Sequence, residues 1–135
     1  MTDKDDGFGL SEIGQIAVTV QDLERATQFY RDVLGMRLLF EAPGLAFFQC
    51  GQVRLMLSPP ERPEFDHPAS IIYFKVGDIE ALHQTLADRG VRFEEEPTLV
   101  HKAPDHDLWI ASFRDCERNL LALMSEVPRH EESDP

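Results

Sequence analysis

The segment Val20-Gln21-Asp22-Leu23-Glu24 returns later in the chain as Val76-Gly77-Asp78-Ile79-Glu80. Each copy follows an apolar strand-like run, Ile16-Ala17-Val18-Thr19-Val20 and Ile72-Tyr73-Phe74-Lys75-Val76, and each leads into a helix-like run that closes on glycine, Gly35 and Gly90. A strand, turn and helix repeated in the same order predict two copies of one unit. In the first copy Leu23, Ala26, Tyr30, Val33 and Leu34 recur at helical spacing, which predicts a helix over 22–34 with one buried stripe. In the second, Ile79, Leu82 and Leu86 predict a helix over 78–89. Asp22 and Asp78 stand where an N-cap carboxylate accepts from first-turn amides. Strand signals follow each helix: 36–41, 45–50 and 53–57 in the first half, then 91–93, 108–114 and 120–124 in the second, with a long loop through Pro97 and Pro104 that includes a solvated Glu94-Glu95-Glu96. The boundaries that result are an N-terminal tail over 1–11, a first βαβββ module over 12–58, a Pro-rich linker over 59–69, a second βαβββ module over 70–126 and an acidic tail over 127–135.

Composition narrows what such a pair of units does. The 135 residues make one domain's worth of chain, 42% hydrophobic and 28% charged, which excludes general disorder and a disulfide scaffold. Apolar runs fall far short of a membrane span, and the acidic start Met1–Asp6 does not resemble a signal peptide. Thirteen basic against twenty-five acidic residues give a net charge of −12, which argues against nucleic acid or an anionic membrane as partner. Cys50 and Cys116 have no metal-type spacing and read as free thiols of a cytoplasmic protein.

Strand parity then assigns faces. Ile16, Val18 and Val20 turn toward the helix, and so do Val53, Leu55 and Leu57; Gln15, Ala17, Thr19, Arg54, Met56 and Ser58 turn the other way. In the second half Ile72, Phe74 and Val76 oppose Ile71, Tyr73 and Lys75. The second face of each half is too polar for a dry core and too apolar for open solvent. The expected architecture is α+β: two βαβββ modules forming a cupped mixed sheet, helices outside and a lined concavity inside, the kind of surface on which small ligands bind.

The order of elements, the run from Ile13 through Glu24, the segment Phe29-Tyr30-Arg31-Asp32-Val33-Leu34-Gly35-Met36, and Phe113-Arg114-Asp115 leading through Asn119 to a final apolar strand resemble the vicinal oxygen chelate superfamily. That superfamily takes in glyoxalase I, bleomycin- and fosfomycin-resistance proteins and extradiol dioxygenases, and the resemblance covers about residues 12 to 126. The family's Asp-Pro-Asp-Gly-Asn turn stands here as Asp115-Cys116-Glu117-Arg118-Asn119, without its Pro and Gly. The resemblance implies a glyoxalase/bleomycin-resistance-like fold and a homodimer. In the family's metal enzymes a His or Gln on the first strand and a Glu on the fourth, repeated in the second module, hold one divalent ion. Those positions fall on Gln15, Met56, Ile71 and Ala122, of which Gln15 alone offers a hard donor.

The expected function is therefore small-molecule binding in a concave cleft without a metal cofactor, the ligand aromatic or anionic and an antibiotic among the options. The cleft residues are Gln15, Arg54, Met56, Ile71, Tyr73, Lys75, Trp109 and Ala122, with Arg54 and Lys75 to hold an anion and Tyr73 to stack. Two alternatives stay open. One is a lyase, isomerase or dioxygenase-type enzyme that uses Arg54, Tyr73 or a relocated divalent metal on His67, His101 and His106; the other is a vestigial cup in a protein-interaction subunit. His83, on the outer side of the second helix, and His130, in the tail, are discounted.

Overall fold

The computed structural model describes residues 10–60, 62–67 and 70–129. His130, most of the first expected tail and much of the second lie outside them. The first half runs β1 (Gln15–Thr19), α1 (Leu23–Gln28), a π turn (Phe29–Val33), β2 (Arg37–Ala42), β3 (Leu45–Cys50) and β4 (Val53–Ser58). A short 3₁₀ turn, Pro63–Phe65, lies in the linker. The second half runs β5 (Ile72–Lys75), α2 (Ile79–Asp88), β6 (Phe93–Lys102), β7 (His106–Arg114) and β8 (Leu120–Pro128). Each half is one four-stranded sheet, ordered β1-β4-β3-β2 and β5-β8-β7-β6. The first and last strands of each half pair parallel and the rest antiparallel, so the repeat in sequence is a repeat in topology. No described helix is long and apolar enough to cross a membrane.

Both helices start where an aspartate accepts from the first turn: Asp22 from the Arg25 amide and Asp78 from the Ala81 amide, each at 3.1 Å. Two expectations need correction. The first helix is α-helical for only six residues and then widens, the Leu34 amide donating to the Phe29 carbonyl. The widened turn keeps Tyr30 fully buried against Phe48, with ring centroids 6.0 Å apart. The expected loop through Pro97 is instead a ten-residue strand, β6, with Glu94-Glu95-Glu96 inside it. It lies at a sheet edge, and the register slips between Glu95 and Thr98, where a residue without an N–H is tolerated.

Parity holds through the core. Val18, Leu55, Leu57, Ala46 and Phe48 from the first sheet join Phe113, Leu121 and Leu123 from the second sheet and Ile79 and Leu86 from α2 in one continuous cluster, each of the larger side chains contributing roughly 1.5–3 kcal/mol when fully buried.

The turn between β7 and β8 ties the halves together. The Asp115 carboxylate, 5% exposed, accepts from the Glu117 and Asn119 amides (both 2.8 Å), from Asn119 Nδ2 (3.0 Å) and from the Tyr30 hydroxyl of the other half (2.6 Å). Four donors satisfy a charge that burial would otherwise penalise. Burial, with the Asp115 charge beside it, pushes the Tyr30 phenol far above its ordinary value. Glu117 accepts from the Gln21 and Asp22 amides at 2.9 and 2.8 Å, just ahead of α1, and Asn119 Nδ2 also reaches the Thr19 carbonyl at 3.3 Å. Arg25 donates to the Cys116 carbonyl, and Arg89 donates to the Val33 carbonyl at 2.9 Å.

Candidate functional site

The face of the first sheet turned away from the core gathers the residues that parity assigned to it. Gln15 pairs in register with Arg54, and Ala17 with Met56, across the parallel β1–β4 ladder. Arg54 Nε donates to Gln15 Oε1 at 2.8 Å, and Gln15 Nε2 lies 3.7 Å from Met56 Sδ. The antiparallel ladder places Phe47 opposite Met56, and the Arg54 guanidinium carbon stands 5.2 Å from the centre of the Phe47 ring. Phe40 on β2 stacks on Phe47 with centroids 4.5 Å apart and planes at 29°. Phe47 is buried beneath these neighbours while Phe40 stays 49% exposed. The outcome is an aromatic shelf with a cation at its edge. The cation's Nε is anchored by Gln15, and its terminal nitrogens bond no described residue.

Phe47 escaped the sequence reading because 45–50 is apolar on both parities, and Phe40 because no face was assigned within 36–41. Alternation was nonetheless the signal that could have found Phe47. It shares its parity with Gln49, whereas Ala46 and Phe48 are the pair that goes to the core.

The remaining expected cleft residues lie on the second sheet or, for Ile71, just ahead of it, and that sheet shares no strand pair with the first. Tyr73 stands in register with Ala122, and Lys75 with Met124. Ala122 is buried, while Tyr73 and Ile71 are 49% and 42% exposed. Lys75 Nζ is 3.6 Å from Glu126 Oε1, an exposed pair of small energetic consequence.

Trp109 requires a correction. Its register with Ser125 gives it the parity of Ala111 and Phe113, opposite to Ser112, which pairs with Ala122 beside Tyr73, so it packs against the core.

The structure does not gather the three histidines of the alternative into one cluster among the described residues. His67 follows the 3₁₀ turn, His101 is exposed on β6, and His106 opens β7 with Nδ1 2.8 Å from Asp105 Oδ1. That hydrogen bond holds the Asp105 carboxyl below the usual range. Among the described residues no three His, Cys, Asp or Glu side chains are placed to hold a metal ion. Burial pushes the Cys50 and Cys116 thiols up, away from the low-pKa state of a nucleophilic cysteine.

Two sheets of identical βαβββ order, each with a helix on one side and a half-polar face on the other, define a paired-module fold for which family assignment is direct. The sequence pattern of the Glyoxalase/Bleomycin resistance protein/Dioxygenase superfamily matches residues 12–123, and the chain belongs to that superfamily. A Bacillus subtilis (strain 168) protein of uncharacterized function, YraH, is 26% identical over 81% of this chain and 94% of its own. Among solved structures, a superfamily member from Sphaerobacter thermophilus superposes with a TM-score of 0.74 at 23% identity, covering 87% of this chain and 98% of that one. TnmS3, an antibiotic binding protein from Streptomyces sp. CB03234, gives 0.72 at 23% identity over 88% and 98%. A lactoylglutathione lyase from Agrobacterium tumefaciens gives 0.68 at 24% identity over 86% and 94%. At these identities the structural likenesses establish the fold.

Proposed function

We propose that the chain is a binding member of its superfamily that holds a small aromatic anion on the Arg54 face, without a metal ion. The observation that carries this reading is the Arg54 guanidinium lying over Phe47 with Nε fixed by Gln15. A ring added to the Phe40–Phe47 stack extends an existing aromatic contact, and a carboxylate on that ring meets the terminal guanidinium nitrogens in a fork geometry. The metal part rests on donor chemistry. The positions that bear ligands in the metal enzymes hold Gln15, Met56, Ile71 and Ala122. Gln15 Oε1 already accepts from Arg54, whose charge repels a second cation. That donor set does not fit a divalent ion. The antibiotic-binding neighbour lends support to ligand binding as the use of this fold. The exposed Phe40, Ile71 and Tyr73 favour a homodimer in which a second copy covers these faces. Free Cys50 and Cys116 suit a reducing cytoplasm.

The test is calorimetric titration with a panel of aryl carboxylates, combined with elemental analysis of protein purified without added metal. Binding that weakens about tenfold in Arg54→Ala is the expected result. Equal affinity in Arg54→Ala, or one equivalent of a divalent metal per chain, overturns the reading.

A further inference from the structure

In a chain of net charge −12, three arginines gathered in one groove call for a cause. Arg92, Arg114 and Arg118 line a groove of about 810 Å³ where the π turn of the first half meets β6, β7 and the β7–β8 turn of the second. That volume lies in the range of small-ligand sites. The groove shares none of its residues with the Arg54 face.

Its acidic groups are already engaged. Glu94 accepts from Arg114 Nε at 3.3 Å, and Arg114 Nη1 also donates to the Arg118 carbonyl at 3.1 Å. Asp115 is buried, with its two oxygens taken by Tyr30, Glu117 and Asn119. No described residue hydrogen-bonds or ion-pairs with the guanidinium of Arg92 or of Arg118. Arg118 also has φ 71°, the left-handed region that glycine occupies without strain, and it is the sole non-glycine residue there among the described residues. A strained position that keeps a side chain with no partner inside the protein points to a partner outside it. Between the cations the wall is apolar: Phe29 and Phe93 are half-buried and Val91 is buried.

We propose that this groove is a second ligand site, which takes a small aryl carboxylate or aryl phosphate with its ring against Phe29 and Phe93 and its anionic oxygens between Arg92 and Arg118. Carboxylate and phosphate present the same paired oxygens to a guanidinium fork. The apolar wall selects a ring or short hydrocarbon over a bare inorganic ion.

The test is an amide-resolved NMR titration of the full chain with 3-phenylpropionate, phenyl phosphate and the neutral 3-phenylpropan-1-ol. The expected result is saturable shifts at residues 90–94 and 114–118 with at least one anion and none with the alcohol; the tighter anion identifies the source chemistry. Arg92→Gln and Arg118→Gly are each expected to raise Kd about tenfold. Arg118→Gly relieves backbone strain, so weakened binding in that variant is not a folding defect. Arg54→Ala is expected to leave these shifts unchanged, so the groove and the sheet face stand or fall separately. Absence of saturable shifts at these amides up to about 10 mM anion, equal binding of the alcohol, or an unchanged Kd in both arginine variants overturns the proposal.

Discussion

Between β3 and β4 the chain reverses through Gly51, at φ 64°, and among the described residues the one side chain bonded to that turn is its neighbour Gln49, whose Nε2 donates to the Gly51 carbonyl at 3.3 Å. Between β7 and β8, at the same place in the topology, it reverses through Asp115-Cys116-Glu117-Arg118-Asn119, and that turn bonds to Thr19, Gln21, Asp22, Arg25 and Tyr30 of the other half. One turn closes a hairpin and faces solvent. The other closes a hairpin and also caps the neighbouring module's helix. The two halves therefore share a topology but not a role. The second reaches into the first, and a single buried carboxylate carries much of that reach.

The strongest way to break this comparison is Asp115→Ala. It strands the Tyr30 hydroxyl and the Asn119 donors in a dry site, with an expected loss of about 3–5 kcal/mol. Urea denaturation of wild type and variant checks the value; a loss under about 1 kcal/mol would show that the turn is no more than a hairpin. Tyr30→Phe removes one hydrogen bond to a charged acceptor, and about 1.5–3 kcal/mol is expected. The same variant reports on pH. Tyr30 keeps its proton in the folded chain and releases it near the ordinary value of 10.0 when unfolded. Its contribution is thus complete below pH 10 and falls above it by about 1.4 kcal/mol per pH unit. Melting curves at pH 9 and pH 11 should separate wild type from Tyr30→Phe by less at the higher pH. The smallest effects have opposite signs in the two turns. Gly51→Ala forces a Cβ into the left-handed region and should cost about 1 kcal/mol, whereas Arg118→Gly should gain up to about 1 kcal/mol. A pair of denaturation midpoints decides it.

Most of the architecture was legible because strand parity and helix caps are local. Asp22, Asp78 and the alternating face Gln15, Arg54, Met56 followed from spacing alone. What escaped was whatever depends on a distant partner. Tyr30 read as one more residue in an apolar stripe, and nothing near it in the chain announces Asp115. The β6 strand read as a loop because Pro97 breaks ladders in general, and only its edge position makes it harmless. Trp109 reads as a cleft residue from its position beside the long loop, and only the pairing of β7 with β8 reveals that it shares the core-facing parity of Ala111 and Phe113.

The link between Tyr30 and Asp115 spans 85 positions, and that between Gln21 and Glu117 spans 96. During synthesis at about 5–20 residues per second, the first module emerges roughly 4–20 s before the residues that complete it. Through that interval the Tyr30 hydroxyl and the Gln21 and Asp22 amides lack the acceptors that the second module supplies, although Phe48 and the Asp22 cap are already in the chain. A turn made late in the chain thus carries the last fastenings of the first module, and a chain cut short before Asp115 lacks them.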